Sequence, residues 1–311
     1  MIVKKNTRIF LTGHQGMLGK SILRKLKENK YNKIILITKS KLDLTNQKKV
    51  FEFFKKNKPE IVINCAARVG GILANSNYPG KFIYENTLIQ SNIIEASKNY
   101  NIKKIIFFAS NCIYPNNIKR KIRENDLLKS SLEKANEPYS IAKINGIKMG
   151  EAYSKQYCID FLTLVPSTIY GPGDNYSQEN SHFFPALLKK VYASKISRNK
   201  KPIHVWGTGK PKREMIFVDD VADACIFFMK KKINHQLINL GGNIFHSIKE
   251  YVKILKRNLG CNSEIIFDVT KPDGTRVKRL DNTISKSYGW KPSYTFEHGI
   301  KLSLNDFLKK K

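Results

Sequence analysis

GHQGMLGKS, residues 13–21, is a glycine-spaced run that ends in Lys-Ser. It follows a short apolar stretch, RIFLT (8–12), and leads into a segment with helical periodicity. Turns of this kind hold phosphate, because backbone N–H groups and a helix N-terminus point at the anion. Two chemistries use them. A Walker A loop, G-x-x-x-x-G-K-[ST], serves phosphoryl transfer, and a Rossmann loop binds a dinucleotide. A Walker loop ending at Gly19-Lys20-Ser21 needs glycine where this chain has His14, and Gly13 lies one residue too early. The register fails. What remains is Gly13-x-x-Gly16-x-x-Gly19, a stretched dinucleotide fingerprint with Gln15, Met17 and Leu18 in its variable places. Three glycines also suit a turn with no ligand, so the rest of the chain has to decide.

Composition narrows the class. The chain has 311 residues, of which 41% are hydrophobic, enough for one large or two small cores. No apolar run approaches the ~20 residues that cross a bilayer. The first residues, MIVKK, run straight toward the first strand, so no signal peptide is expected. Five cysteines (Cys65, Cys112, Cys158, Cys225, Cys261) are scattered without a C-x-x-C pair, which argues against a disulfide framework or a zinc site. A reducing cytoplasm and no metal are the expectation. Basic residues number 56 against 25 acidic, a net charge of +31, yet the lysines are spread from end to end. No basic arm and no aromatic stacking motif accompanies them, so nucleic acid is not an expected partner. An anionic small molecule is.

Outward from the glycine loop, apolar runs alternate with helical patterns. Strands are predicted at 8–12, 33–38 (KIILIT), 60–65 (EIVINC), 103–109 (KKIIFFA) and 161–165 (FLTLV), with helices near 17–28, 46–57, 80–99 and 137–157. Continuous apolar strands separated by helices indicate a doubly wound α/β fold on a parallel sheet, whose ligands lie at the C-terminal strand ends. After residue 170 turn clusters interrupt the pattern. Asp219 and Asp220 then read as caps of a helix to about residue 231, and 237–240 as a further strand. The expected division is a dinucleotide-binding domain of 1–170 and 216–243, with a smaller nucleotide-sugar-binding domain of 171–215 and 244–311.

Tyr139 and Lys143 in NEPYSIAKINGIK (136–148) are four apart on a predicted helix and share a face. Ser110 follows the strand at 103–109. A Lys ammonium is expected to lower the phenol from its usual ~10. Tyr139 then serves as acid or base at a carbonyl oxygen, Ser110 hydrogen-bonds that oxygen, and a nicotinamide carries the hydride.

With this set in view, the chain resembles the extended short-chain dehydrogenase/reductase superfamily and, within it, the GDP-L-fucose synthase family of 3,5-epimerase-4-reductases. The matching segments are AARVGGILANSNYPGKFIYEN (66–86), SNCIYP (110–115), NEPYSIAKINGIK, YGPGDNY (170–176), NSHFFPALL (180–188), VWGTGKPKREMIFVDD (205–220) and KPDGTRVK (271–278). The resemblance implies that Tyr139 donates the proton to the C4 oxygen, that Lys143 holds the cofactor ribose, and that Cys112 and His182 invert C3 and C5. It places the cofactor on Gly13, Gln15, Gly16, Met17, Leu18, Gly19, Lys39, Ala66, Ala67, Lys143, Pro166, Thr168 and Ile169. The GDP-sugar falls to Asn180, Lys190, Trp206, Arg213 and Asp273. Three departures bear on this. The family often carries Arg where this chain has Gln15, and the basic residues after the second strand are Lys39 and Lys41, with no acidic residue directly following and no carboxylate expected near them. Lys190 also stands for a common Arg. NADP(H) is the expected cofactor. The alternative is a C4-reductase without epimerisation, acting on another GDP-4-keto sugar such as a heptose of capsule or O-antigen synthesis. The helices near 80–99 and 137–157 resemble the pair that forms a four-helix dimer interface in this superfamily. Phe82, Ile83, Leu88, Ile89, Ile93 and Ile94 exceed what one packed face requires, so a homodimer is expected.

Overall fold

The computed structural model describes residues 3–177, 181–199, 201–271 and 273–310. The chain runs β1 (Ile9–Thr12), α1 (Met17–Glu28), β2 (Ile34–Ile35), α2 (Gln47–Asn57), β3 (Ile61–Asn64), α3 (Ile72–Asn77), α4 (Pro79–Asn99), β4 (Lys104–Phe108), α5 (Glu137–Tyr157), β5 (Asp160–Pro166) and β6 (Thr168–Tyr170). It continues through α6 (Phe183–Ile196), β7 (Ile203–Trp206), β8 (Lys212–Phe217), α7 (Val218–Met229), β9 (Leu237–Leu240), β10 (Ile244–Ser247), α8 (Ile248–Leu259), β11 (Ile265–Asp268), β12 (Val277–Lys278), α9 (Thr283–Ser287) and α10 (Phe296–Lys309).

Six parallel strands form the main sheet in the order β2-β1-β3-β4-β5-β9. The residues of β1, β3, β4 and β9 are buried throughout, as continuous apolar strands between two helical layers require. Ile9, Leu11, Ile63 and Ile106 pack under α1 and α7, while Phe10, Val62, Ile105 and Phe107 pack under α2, α4 and α5. This is the doubly wound α/β fold. A second group joins β8 to β10, β12 and β6, with β7 paired to β11. Its core, around Tyr170, Phe184, Val191 and Tyr251, lies against α6, α8 and α10.

Three local expectations are corrected. Of 33–38, only Ile34 and Ile35 form strand, because β2 is an edge strand and Thr38 starts a turn that takes the N–H groups of Lys41 and Leu42. Asp219 and Asp220 lie inside the first turn of α7 and do not cap it. Asp219 instead accepts from Ser21 Oγ at 2.6 Å and from Arg24, both on α1, and Asp220 accepts from Ser293 N at 2.6 Å. The Asp219 bonds fix α1, and with it the glycine loop, against α7, and the Asp220 bond ties the chain at Ser293 to the same helix. Finally, not all of 244–311 goes with the second group of strands: Ile284, Tyr288 and Trp290 pack into the core of the main sheet. At the other junction the chain leaves that sheet at Ser167, and 168–170 already pair with β8.

Candidate active site

The glycine loop is shaped by close approach. Gly13 has φ +65°, and a Cβ there would stand 2.8 Å from the backbone of Cys65 and Ala66. A Cβ on Gly19 would stand 2.1 Å from Gly13 O. The loop is thus clamped between the start of α1 and the end of β3. Thr12 Oγ1 donates to Asn64 Oδ1 at 2.8 Å and accepts from Ala66 N at 3.1 Å, which holds Ala66 and Ala67 beside the loop. Gly16 begins α1 with no side-chain cap and no acidic residue in the first turn. The N–H groups of Met17, Leu18 and Gly19 therefore have no partner within the helix and form the positive end of its dipole. Pro166 closes β5 opposite Leu240, with Thr168 and Ile169 at the following sheet switch.

The corner beyond β2 corrects one expectation. Lys39 does have a carboxylate beside it: Glu85 of α4 lies 3.8 Å from its ammonium. Sequence adjacency could not reveal a partner 46 positions away.

The reacting groups gather at the end of β4. Ser110 follows the strand, and Cys112 sits buried in a single 3-10 turn, Asn111–Ile113. Ser140 of α5 donates to Cys112 O at 3.0 Å and locks that turn to the helix. Pro138 opens α5, Tyr139 stands in its first turn and Lys143 one turn on. Lys143 Nζ donates to Phe108 O at 3.0 Å and lies 4.6 Å from the Phe107 ring centroid and 5.9 Å from that of Tyr139. Burial lowers the Lys143 ammonium to about 8, with the Cys112 and Cys65 thiols pulling the other way. Here the expected depression of Tyr139 is overturned. Burial first, and Cys112 second, push the phenol well above its ordinary value, so it stays protonated at neutral pH.

His182 precedes α6, and its loop is seated against α3, since a Cβ on Gly71 would meet Ser181 O at 2.4 Å. Burial lowers its imidazole below the ordinary value. Asn180 lies outside the described residues.

At the far end, Lys190 Nζ donates to His204 O at 2.9 Å and lies 5.6 Å from the Trp206 ring centroid. Trp206 is 53% exposed. Asp273 accepts from Thr208 N at 2.9 Å and Thr208 Oγ1 at 2.6 Å, so it pins the turn after Trp206. Arg213 donates to Lys212 O and Thr275 O, on the strand next to that turn. Glu133 lies under this region: it accepts from Thr275 Oγ1 at 2.9 Å and pairs with the buried Lys278 at 3.3 Å. Burial would raise Glu133, but Lys278 and the Thr275 and Asn136 hydrogen bonds outweigh it and hold the carboxyl down to about 2. Glu133, Thr208 and Lys278 escaped the sequence reading because their meaning is a long-range contact, although Lys278 stands inside KPDGTRVK.

Residues 9–241 match the NAD dependent epimerase/dehydratase family. The chain belongs to that family. Among its relatives, GDP-L-fucose synthase 1 of Arabidopsis thaliana is 41% identical over 98% of this chain and 94% of its own length. GDP-L-fucose synthase of Escherichia coli (strain K12) is 38% identical over 97% of each chain. A crystal structure of a GDP-6-OMe-4-keto-L-xylo-heptose reductase from C. jejuni superposes with a TM-score of 0.94 at 33% identity, covering all of both chains. The resemblance to the GDP-L-fucose synthase family therefore holds along nearly the whole length.

The cofactor of an epimerase/dehydratase family member fits the residues present. A cradle that excludes any Cβ at Gly13 and Gly19 leaves backbone open to a pyrophosphate, and His14 Nδ1 is buried there without a partner. Among the described residues, no helix is long and apolar enough to cross a membrane, and no group of three or more His, Cys, Asp or Glu could hold a metal ion.

Proposed function

We propose that this protein is an NADPH-dependent epimerase/reductase of a GDP-4-keto-6-deoxy sugar, of the GDP-L-fucose synthase type. The observation that carries the reading is the Ser110–Cys112–Tyr139–Lys143 cluster at the end of β4, on a chain about 40% identical to GDP-L-fucose synthases. Bound NADPH would supply the hydride for C4. Gly13, Gly16 and Gly19, with the N–H groups of Gln15, Met17 and Leu18, would hold its pyrophosphate. Ala66, Ala67, Pro166, Thr168 and Ile169 would line its path, Lys39 its adenosine end, and Lys143 its nicotinamide ribose.

Ser110 orients the C4 carbonyl. Tyr139, kept protonated by its surroundings, delivers a proton to the C4 oxygen. Lys143 stands one helical turn behind it and supports the phenolate left after transfer. Cys112, buried beside Tyr139, acts as base at C3 and C5, and His182 returns the proton from the opposite face. For Cys112 to act as a thiolate base and His182 as the acid, the thiol proton has to pass to the imidazole before the C–H bond is broken, a transfer that burial of His182 opposes in the free protein. Lys190, Trp206 and Arg213 bind the GDP end, with Trp206 as the apolar surface, and Asp273 shapes the turn that carries it. We keep the division into a dinucleotide-binding domain and a smaller nucleotide-sugar-binding domain, with 283–290 moved to the former, and assign the cofactor to the first and the GDP end to the second.

A second reading is a plain C4-reductase of another GDP-4-keto sugar. The full-length likeness to a heptose reductase at TM-score 0.94 favours it, as does the burial that neutralises His182. Either product suits capsule or O-antigen synthesis in the cytoplasm. We also propose a homodimer through α4 and α5. Phe82, Ile93 and Ile94 are buried within the chain and leave that argument, while Tyr84 (65% exposed) and Ile141 (45%) enter it.

The test is turnover in D₂O with GDP-4-keto-6-deoxy-D-mannose and NADPH, followed by product NMR. The expected outcome is loss of absorbance at the NADPH band and deuterium at C3 and C5, both carbons losing it in Cys112→Ser. Reduction without deuterium would move the assignment to the second reading, and no NADPH oxidation across a panel of GDP-4-keto hexoses and heptoses would remove both.

A further inference from the structure

Arg68 and Lys39 reach the same corner from two strands. Lys39 follows β2 and Arg68 follows β3, the strands on either side of β1 and its glycine loop. Between them lies one carboxylate. Glu85 Oε1 is 3.0 Å from Arg68 Nη1, and Glu85 Oε2 is 3.8 Å from Lys39 Nζ. The nearby acid Asp43 also feels the Lys39 charge, but its hydrogen bonds go to Thr45 N and Oγ1 of its own turn, and it is Glu85 that lies between Lys39 and Arg68.

The Arg68 side of the arrangement is built. Arg68 N donates to Asn86 Oδ1 at 2.9 Å, and Asn86 Nδ2 donates to Arg68 O at 3.0 Å, so its backbone is riveted to α4. Its guanidinium carbon lies 5.5 Å from the Phe82 ring centroid and 5.9 Å from that of Tyr78. Its Nε is buried with no hydrogen-bond partner. A guanidinium held in place, half used, and facing an ammonium across a single oxyanion is a seat for a phosphate. In a doubly wound sheet, the adenosine ribose of a dinucleotide threaded from the glycine loop lies beyond the end of the second strand, where this corner is. Gln15 brings no charge to it.

Resting on the NADPH reading above, we propose that Arg68 and Lys39 hold the 2′-phosphate of the cofactor and that Glu85, which fills that seat in the free protein, is the residue that sets the choice between NADPH and NADH. With NADPH the carboxylate competes with the phosphate for the same two cations. With NADH the same carboxylate accepts the ribose 2′-OH. Glu85 therefore restrains a preference that Arg68 creates.

Dissociation constants of NADPH and NADH, measured by titration calorimetry in the absence of sugar, test this for the wild-type protein, Glu85→Gln, Arg68→Gln and Arg68→Lys. Glu85→Gln should tighten NADPH about fivefold or more while NADH holds or weakens. Arg68→Gln should weaken NADPH about tenfold, the scale of one charge-assisted contact, and leave NADH unchanged. Arg68→Lys should recover part of that loss. Equal shifts of both dinucleotides in Glu85→Gln, or no shift, would overturn the proposal, and that near-isosteric variant answers it even where Arg68→Gln fails to fold. A wild-type protein that binds neither dinucleotide would instead bring down the cofactor reading on which it stands.

Discussion

Replacing Lys143 with methionine should stabilise the protein at neutral pH while abolishing reduction. The side chain is 3% exposed, and among the described residues no carboxylate pairs with it. Burial takes its ammonium from the ordinary 10.5 to about 8. Holding the charge in the fold at pH 7 thus costs roughly 3 kcal/mol, at about 1.36 kcal/mol for each tenfold step. Methionine has similar length and carries no charge. It gives up the donation to Phe108 O, worth about 1 kcal/mol. The net expectation is a gain of about 2 kcal/mol at pH 7, a rise in melting temperature on the order of 4 °C. The sign follows from proton binding. Between pH 8 and 10.5 the unfolded chain holds a proton that the folded one has lost, so wild-type stability rises with pH across that window. The cost is fully present below 8 and gone above 10.5. By pH 10 less than about 1 kcal/mol of it remains, and the two proteins should melt together. Paired thermal unfolding at pH 7 and pH 10 reads this directly, because the other titrating groups are common to both. A Lys143→Met protein that melts below wild type at pH 7, or a difference that does not change with pH, would refute the reasoning.

Tyr139→Phe should keep the wild-type melting temperature and cofactor affinity and lose on the order of 10²–10⁴ in reduction rate, measured by NADPH oxidation. Gly19→Ala has to move Gly13 O from 2.1 Å, so it should melt about 3 °C or more lower and lose NADPH binding, checked by unfolding and titration. Glu133→Gln strands the buried Lys278 and should cost about 3–5 kcal/mol in urea unfolding. In the wild type that support is present above the ordinary 4.5 of Glu133 and is lost as pH falls toward about 2. Light scattering at micromolar concentration should give a dimer mass, and a monomer mass for the double change Tyr84→Asp and Ile141→Asp; a wild-type monomer would end the dimer proposal.

Much was legible in the sequence. The periods of the apolar runs put α1 at Met17–Glu28, α5 at Glu137–Tyr157 and strands within 8–12, 60–65, 103–109 and 237–240, because each element's pattern is dictated by burial along its own few turns. The glycine spacing excluded a Walker loop, and the four-residue step from Tyr139 to Lys143 set both on one face. These are local facts, fixed by backbone geometry and by covalent distance. What needed the tertiary structure was every quantity that depends on what stands opposite. Lys143 was read as the group that lowers the Tyr139 phenol, yet in the folded chain desolvation acts on both and raises that phenol. Lys39 was read as lacking a carboxylate, and α4 supplied Glu85. Asp219 and Asp220 looked like caps and became ties to α1 and to Ser293. A chain written in one dimension fixes which groups are near along the backbone. The charge each one carries, and the anion each one faces, depend on solvent excluded by residues tens to hundreds of positions away.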